Sequence, residues 1–144
     1  KLGFRHGLAR EGARGPALEE ERIDVVVGLA WVQEGHGQAP EGVEIRVEGW
    51  RRAAPNAVRG GARLKITVNA PAYDSNGQAT YQPANRAEAV DVRGYSTLRQ
   101  VRWLGTFEGA SEIGVGVRAR LPMRVTRYDD GGSTRLVIDV AHAW

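Results

Sequence analysis

The sequence contains no cysteine, and this absence limits the chemistry and the folds open to it. Without thiols there is no disulfide framework, no cysteine-ligated zinc site and no thiol nucleophile. No apolar run approaches the roughly 20 residues that a membrane-spanning helix needs, so we expect no membrane span. Lysine is scarce too, because Lys1 and Lys65 are the only lysines among 20 basic residues. The arginine bias fits a GC-rich genome as readily as a need for planar, bidentate contacts.

Length and charge fit one ordinary soluble domain. A chain of 144 residues buries about 70% of the surface that it exposes when unfolded. The formal charge of +3, from 20 basic and 17 acidic residues, is too small to predict a nucleic-acid partner. Nineteen glycines occur without a period, which indicates many turns. Because the chain begins at Lys1 and not at a methionine, we interpret it as a mature or trimmed form.

Seven segments have the pattern of β-strands, and none has that of a long helix. Polar alternation is clearest around Val43, Ile45 and Val47, which face one way while charged neighbours face the other. One alternation changes phase, which predicts a β-bulge near Arg99–Gln100. Short polar turns separate the segments, so we predict an all-β fold, an antiparallel β-sandwich or small barrel of about seven strands. The segments are residues 22–32, 42–50, 62–70, 96–107, 111–121, 123–128 and 134–142.

Two stretches stand apart from this pattern. Residues 1–21 are rich in Gly, Arg and Glu, and we expect a loosely ordered N-terminal lead-in before one β domain over residues 22–144. The second stretch is a loop over residues 69–96, which holds three tyrosines and is longer than most connections in a compact domain. Because loops of this length often carry function, we expect a site there.

No constellation of residues predicts catalysis, a metal or a cofactor. None of the three histidines has a second ligand at metal-binding spacing, and no serine lies in a nucleophile motif. Asp129 and Asp130 precede two glycines between strands, which is typical of a hairpin turn. We therefore expect no enzyme activity; a hydrolase using Glu108 or one of these aspartates is the least supported hypothesis.

Two groups of residues are candidates for ligand contact. Arg118 and Arg120 share one face of the fifth predicted strand with Arg124 near them, and such a cluster attracts an anionic polymer or a carboxylate. The alternative is that outward strand positions are simply polar, which in this chain means arginine. The second group is aromatic, and aromatic rings stack on sugars or on partner proteins. The predicted ligand-binding residues are Trp50, Tyr73, Tyr81, Arg118, Arg120 and Arg124.

Four short motifs near the end of the chain form a set: "GTFEG" at Gly105–Gly109, "GVGVR" at Gly114–Arg118, "PMRV" at Pro122–Val125 and "RLVIDV" at Arg135–Val140. With these motifs residues 101–140 resemble the AMIN-like domain of exported proteins and lipoproteins in actinobacteria and related lineages. The family takes its name from a looser similarity to AMIN domains, which are β-sandwich modules that place envelope enzymes and secretins by binding the cell wall.

The resemblance implies a non-catalytic cell-envelope module of an exported protein, which binds cell-wall glycan or another envelope component. The family has no catalytic motif, so no functional residue is carried over to this chain. A second hypothesis is a protein–protein or self-assembly module of a secreted subunit, since sheet edges pair with other strands and "IGVGV" offers a smooth surface. The final "YDDGG" hairpin is then architecture and not a site.

Overall fold

The fold is all-β, as the alternation predicted. A computed structural model describes residues 2–10, 19–27, 45–49, 58–130 and 133–143, and these contain eight strands. A 3₁₀ helix of three residues, Arg86–Glu88, lies in the long loop. The strands are β1 (Leu2–Arg10), β2 (Glu19–Val27), β3 (Ile45–Glu48), β4 (Ala62–Val68), β5 (Leu98–Phe107), β6 (Ala110–Val117), β7 (Met123–Asp130) and β8 (Ser133–Ala141).

The strands form two antiparallel sheets of four strands each. The first sheet has the order β1-β2-β8-β7, and the second has the order β3-β4-β6-β5. Each sheet therefore consists of two hairpins laid side by side, with β2 joined to β8 in one and β4 to β6 in the other. Both sheets are open, so the fold is a sandwich and not a closed barrel.

One hydrophobic core holds the two sheets together. Ile66 on β4 and Ile113 and Val115 on β6 are fully buried, and they share a cluster with Ile138 and Val140 on β8. Along β4 and β6 these residues alternate with polar or small ones, and on β8 they alternate with Val137 and Asp139, so one face of each sheet is apolar and packs against the other sheet.

The seven predicted strands are all present, and the predicted bulge is confirmed. The pairing of β5 with β6 shifts register between Leu98 and Gln100, and again between Trp103 and Gly105. The predicted end hairpin is confirmed as well, since Asp130 pairs with Ser133 across a two-residue connection. That connection itself lies outside the described residues.

The N-terminal stretch differs from the expectation of a loosely ordered lead-in. Residues 2–10 form β1, which pairs along its whole length with β2, and β2 begins at Glu19. The strand was missed because His6 breaks the alternation of Leu2, Phe4 and Leu8, and because its glycines have low strand propensity, so that its conformation depends on the partner strand. The division of the chain into a lead-in and a domain at residue 22 stays a prediction.

The fifth predicted strand is shorter than expected, and its glycines are covered. β6 ends at Val117, so Arg118 and Arg120 lie in the following bends and not on one strand face. A Cβ atom on Gly116 would lie 1.7 Å from the carbonyl oxygen of Arg59, and one on Gly114 would lie 2.5 Å from Val58. The smooth surface suggested for self-assembly is therefore occupied by the chain's own residues.

Candidate functional site

The long loop between β4 and β5 begins with a tight turn. Asp74 Oδ1 accepts hydrogen bonds from the backbone N–H groups of Asn76 and Gln78, at 2.9 Å each. Tyr73 and Ala79 then pair as an isolated antiparallel bridge. This turn returns the chain toward the sandwich, so that Tyr81 reaches the core and packs against it.

The second half of the loop is fastened to the edge of β5. Asn85 caps the 3₁₀ helix by accepting from Ala87 N at 3.0 Å. The buried Gln100 Nε2 donates to Ala87 O at 2.6 Å, and Ala89 N donates to Val101 O at 2.8 Å. These bonds fix the position of the helix relative to the sheet, and with it the backbone from which Arg86 projects.

The β5–β6 hairpin forms the other side of the site. Its two-residue turn, Glu108–Gly109, has φ values of 49° and 80°, as a type I′ turn requires. Ser111 Oγ donates to Ala70 O at 2.6 Å, which ties the hairpin to the start of the loop. Phe107, just before the turn, is 77% exposed. The hairpin thus presents an aromatic ring to solvent beside a loop that is bonded to it.

Between loop and hairpin lies a cleft of about 870 Å³, which we call the aromatic cleft. Three rings line it: Tyr81 from the loop, and Trp103 and Phe107 from β5. Tyr81 and Trp103 meet edge to face, with ring centroids 4.9 Å apart. Because Trp103 is buried in the core, this pair forms a fixed wall, whereas Phe107 stands free at the rim. The volume is that of a small-ligand site.

Among the described residues that line the cleft, the charged ones are Arg86 and Glu112. Glu112 Oε1 lies 2.6 Å from Lys65 Nζ, so its charge is already balanced by a neighbouring strand. Arg86 Nη2 donates to the carbonyl oxygen of Leu104 at 3.0 Å, and no acidic side chain of the described residues pairs with it. The balance of charge in the cleft is therefore positive.

The hydroxyl of Tyr81 is protonated at ordinary pH. Burial raises its pKa above the usual value near 10, because the phenolate would lose solvation beside the core. The neutral hydroxyl is suited to hydrogen bonding and gives the cleft no negative charge.

The structure separates the sequence-predicted site residues into groups. Tyr81 lines the aromatic cleft, and the exposed Tyr73 lies next to Ala72, which also lines it. Arg118 and Arg120 follow the far end of β6, a strand of eight residues that begins at the cleft, so roughly 25 Å separates them from it. Trp50 lies outside the described residues. Binding of a ligand by any of these residues stays a prediction.

Arg124 belongs to a cross-strand ionic cluster on the first sheet. Asp139 on β8 lies opposite both Arg22 on β2 and Arg124 on β7. Its carboxylate accepts from Arg22 Nε at 2.6 Å and from Arg124 Nη2 at 3.2 Å, and its side chain is only 2% exposed. Arg118 Nη2 likewise donates inside the chain, to His142 O. Two of the three predicted arginines therefore form bonds that join parts of this fold.

Comparison with known families gives a match over most of the chain. The family model of the AMIN-like domain matches residues 32–142. The chain belongs to the AMIN-like domain family. No curated protein and no solved structure gives a significant match. The match begins after β2, so the strands β1 and β2 lie outside the part of the AMIN-like domain that the family model describes.

Membership places the chain among cell-envelope-related modules. AMIN-like domains occur in envelope or exported proteins and are typically non-catalytic binding modules. No helix in the part of the chain that the structure describes is long and apolar enough to cross a membrane. Among those same residues, no three His, Asp or Glu side chains gather as a metal site would require.

Sequence reasoning found the loop but missed most of the cleft. Arg86, Gln82 and Phe107 line it, and none of them was a candidate. Phe107 carried only a weak signal, since it directly precedes the turn residues Glu108 and Gly109, but the face to which its ring points depends on the strand register. Arg86 carried none, since its place depends on Gln100, which is 14 residues further along the chain and buried.

Proposed function

We propose that this AMIN-like domain is a non-catalytic module of an exported envelope protein, and that it binds cell-wall glycan in the aromatic cleft. The observation that carries the proposal is the meeting of Tyr81, Trp103 and the exposed Phe107 in one cleft of about 870 Å³. A sugar ring has a flat face of C–H groups, which packs on an aromatic ring and loses little hydration there.

Polar groups at the rim complement this apolar wall. Gln82 is exposed and offers an amide donor and acceptor, while Arg86 and Glu112 offer charged groups. A glycan needs both kinds of contact, because its hydroxyls must keep hydrogen bonds when its ring faces leave water. Phe107 and Gln82 face solvent, so a chain longer than the cleft can extend beyond it.

Cosedimentation of the purified domain with isolated cell-wall sacculi, at low and at moderate salt, tests the proposal. Binding at an aromatic surface survives added salt, because contact with ring faces is not screened. Salt-resistant pelleting with the sacculi supports the cleft. Pelleting that disappears with salt would assign the attraction to charged groups, either Arg118 and Arg120 or Arg86, and not to the rings of the cleft, and the absence of pelleting would contradict wall binding.

Export is part of the same proposal. The AMIN-like family supports an envelope or exported protein, and we propose that the full protein is secreted or anchored as a lipoprotein. Fractionation of cells that carry an epitope on this domain tests it. The epitope is expected outside the cytoplasm, and accessible to added protease on intact cells or after wall removal. Recovery of the epitope with cytoplasmic markers would contradict export.

Self-association is a second candidate, and edge strand β7 favours it. Met123, Val125 and Tyr128 are 36%, 40% and 47% exposed on this strand, which pairs with β8 on one side in the described sheet. An exposed edge with apolar side chains is suited to pairing with a further strand. Sedimentation velocity over a range of protein concentrations tests self-association. A dimer boundary that grows with concentration and is absent in Val125→Lys supports self-association. A monomer at every concentration contradicts it.

A further inference from the structure

Arg86 is a cationic group of the aromatic cleft that no acidic side chain of the described residues neutralises. Its guanidinium has one bond within the described chain, from Nη2 to the carbonyl oxygen of Leu104 at 3.0 Å. A guanidinium carries five N–H donors, so most of its donors remain for other partners. By contrast, Arg59 pairs with Glu88, and Arg93 pairs with Asp91, in the same part of the fold.

β5 gives this exposed guanidinium a hydrogen-bond acceptor and the space beside it. The register shift between Trp103 and Gly105 lies at Leu104, the residue whose carbonyl oxygen accepts from Arg86. Gly105 has φ of 118°, and a Cβ atom there would lie 2.9 Å from Arg86 Nη2. Glycine therefore leaves the space that the guanidinium occupies. The bond to Leu104 places the guanidinium at the cleft and leaves its other donors exposed to a ligand.

The other ionisable groups leave this positive charge in place. Glu112 is balanced by Lys65 at 2.6 Å, and the Tyr81 hydroxyl is neutral because burial raises its pKa. Glu108 lies in the exposed hairpin turn beyond Phe107 and does not line the cleft. Among the described residues, an anion that enters the cleft beside the rings thus meets Arg86 as a cation without an acidic partner.

We infer that the aromatic cleft selects negatively charged sugars, and that Arg86 binds their anionic group while the rings of Tyr81 and Phe107 hold the sugar. This inference rests on the proposed function, because it names the class of glycan that the same cleft takes. A guanidinium binds carboxylate and phosphate oxygens through two parallel N–H bonds, and such charge-assisted bonds are stronger than those to a neutral hydroxyl. Carboxylated and phosphorylated sugars would be bound in the same way, by a planar pair of N–H donors that faces two oxygens of the anionic group.

Titration calorimetry with defined tetrasaccharides tests the inference. The probes are a hexuronic acid tetrasaccharide, its carboxyl-reduced neutral counterpart and a phosphate-bearing tetrasaccharide. We expect the wild-type domain to bind at least one charged probe about tenfold more tightly than the neutral one. Arg86→Gln removes this preference, and Arg86→Lys restores only part of it, because an ammonium group cannot form the bidentate pair. Equal affinity of wild type for charged and neutral probes would overturn the inference.

Arg93→Gln is the matched control, since Arg93 lies in the same loop, is exposed and does not line the cleft. Arg93→Gln is expected to retain the preference for charged probes. If Arg93→Gln loses this preference as Arg86→Gln does, the inference is also overturned.

Failure of the proposed function and failure of this inference give different results. If sacculi do not pellet the domain but charged tetrasaccharides bind through Arg86, wall binding fails and the inference stands. If sacculi pellet wild type and Arg86→Gln alike and no probe shows a charge preference, the inference fails and wall binding stands.

Discussion

Glu108 adopts a backbone conformation that costs the folded protein free energy. Among the described residues it is the one non-glycine with positive φ, at 49°, and it occupies the first position of a type I′ turn. A side chain with Cβ in this region is strained, and asparagine tolerates the region better than glutamate does. Glutamate is thus poorly suited to the first position of this turn, whereas glycine, as Gly109, is well suited to the second.

We predict that Glu108→Asn raises the free energy of unfolding by about 0.5–1 kcal/mol, because Asn-Gly is the preferred pair for a type I′ turn. The measurement is urea unfolding followed by tryptophan fluorescence. Glu108→Gln is the control, since it removes the charge and keeps the strained backbone, and it should leave stability unchanged. A gain of the same size from both variants would show that charge and not strain is responsible.

Gly116 is required because another segment of the chain crosses directly over it. We predict that Gly116→Ala lowers the free energy of unfolding by about 3 kcal/mol, since its Cβ would lie 1.7 Å from Arg59 O. Gly49→Ala is the matched control, because no described atom lies within 4 Å of the added Cβ there. Urea unfolding compares the two, and equal stability of both variants would contradict the close approach.

At the residue scale, tight turns could be predicted from the sequence, but contacts between distant segments of the chain could not. The "FEG" and "DDGG" turns follow from glycine chemistry that acts over four residues. The covering of Gly114 and Gly116 by Val58 and Arg59 depends on a crossing between segments that are far apart in the chain. In the sequence, two glycines on one strand face look the same whether the face is covered or free.

At the scale of elements, Asp139 joins three strands of the first sheet. Its buried carboxylate lies between Arg22 on β2 and Arg124 on β7. A carboxylate that is removed from water keeps its charge only if donors replace the lost hydration, and the two guanidinium groups supply them. Asp139, the aspartate of "RLVIDV", therefore has a structural role, as does the hairpin that contains it.

We predict that Asp139→Asn lowers the free energy of unfolding by about 2–3 kcal/mol, because both guanidinium groups lose their anionic partner. Asp91→Asn is the control, since it breaks an aspartate–arginine pair whose side chains are 58% and 91% exposed, and it should cost less than about 1 kcal/mol. Urea unfolding gives both values. Similar losses in the two variants would mean that Asp139 does not join the strands as described.

Seven strands could be predicted at this scale because alternation is a local signal, and so could the bulge in β5, which displaces that alternation by one residue. β1 could not be predicted, since it is rich in glycine with only three apolar residues in alternation, and its order comes from pairing with β2. The Arg22–Asp139 pair could not be predicted either, because 117 residues separate its partners and no local pattern encodes their meeting.

At the scale of the whole molecule, the sandwich brings the long loop and the β5–β6 hairpin to one place. Gln100 and the backbone of Val101 fix the loop to edge strand β5, and Ser111 fixes the start of the loop to β6. The aromatic cleft is the space between these fixed parts, so it exists in the unliganded fold. Sequence length indicated that the loop carries a site, but only the folded chain brings Phe107 and Arg86 together.

The most direct test of wall-glycan binding in the cleft compares two aromatic residues on opposite sheets. Phe107→Ala removes the exposed ring of the cleft, and Tyr128→Ala removes a ring that is 47% exposed on β7, outside the cleft. In cosedimentation with sacculi at moderate salt, we predict that Phe107→Ala weakens binding at least about fivefold and that Tyr128→Ala binds as wild type does. Wild-type binding by Phe107→Ala, or no binding by any of the three proteins, would contradict the account.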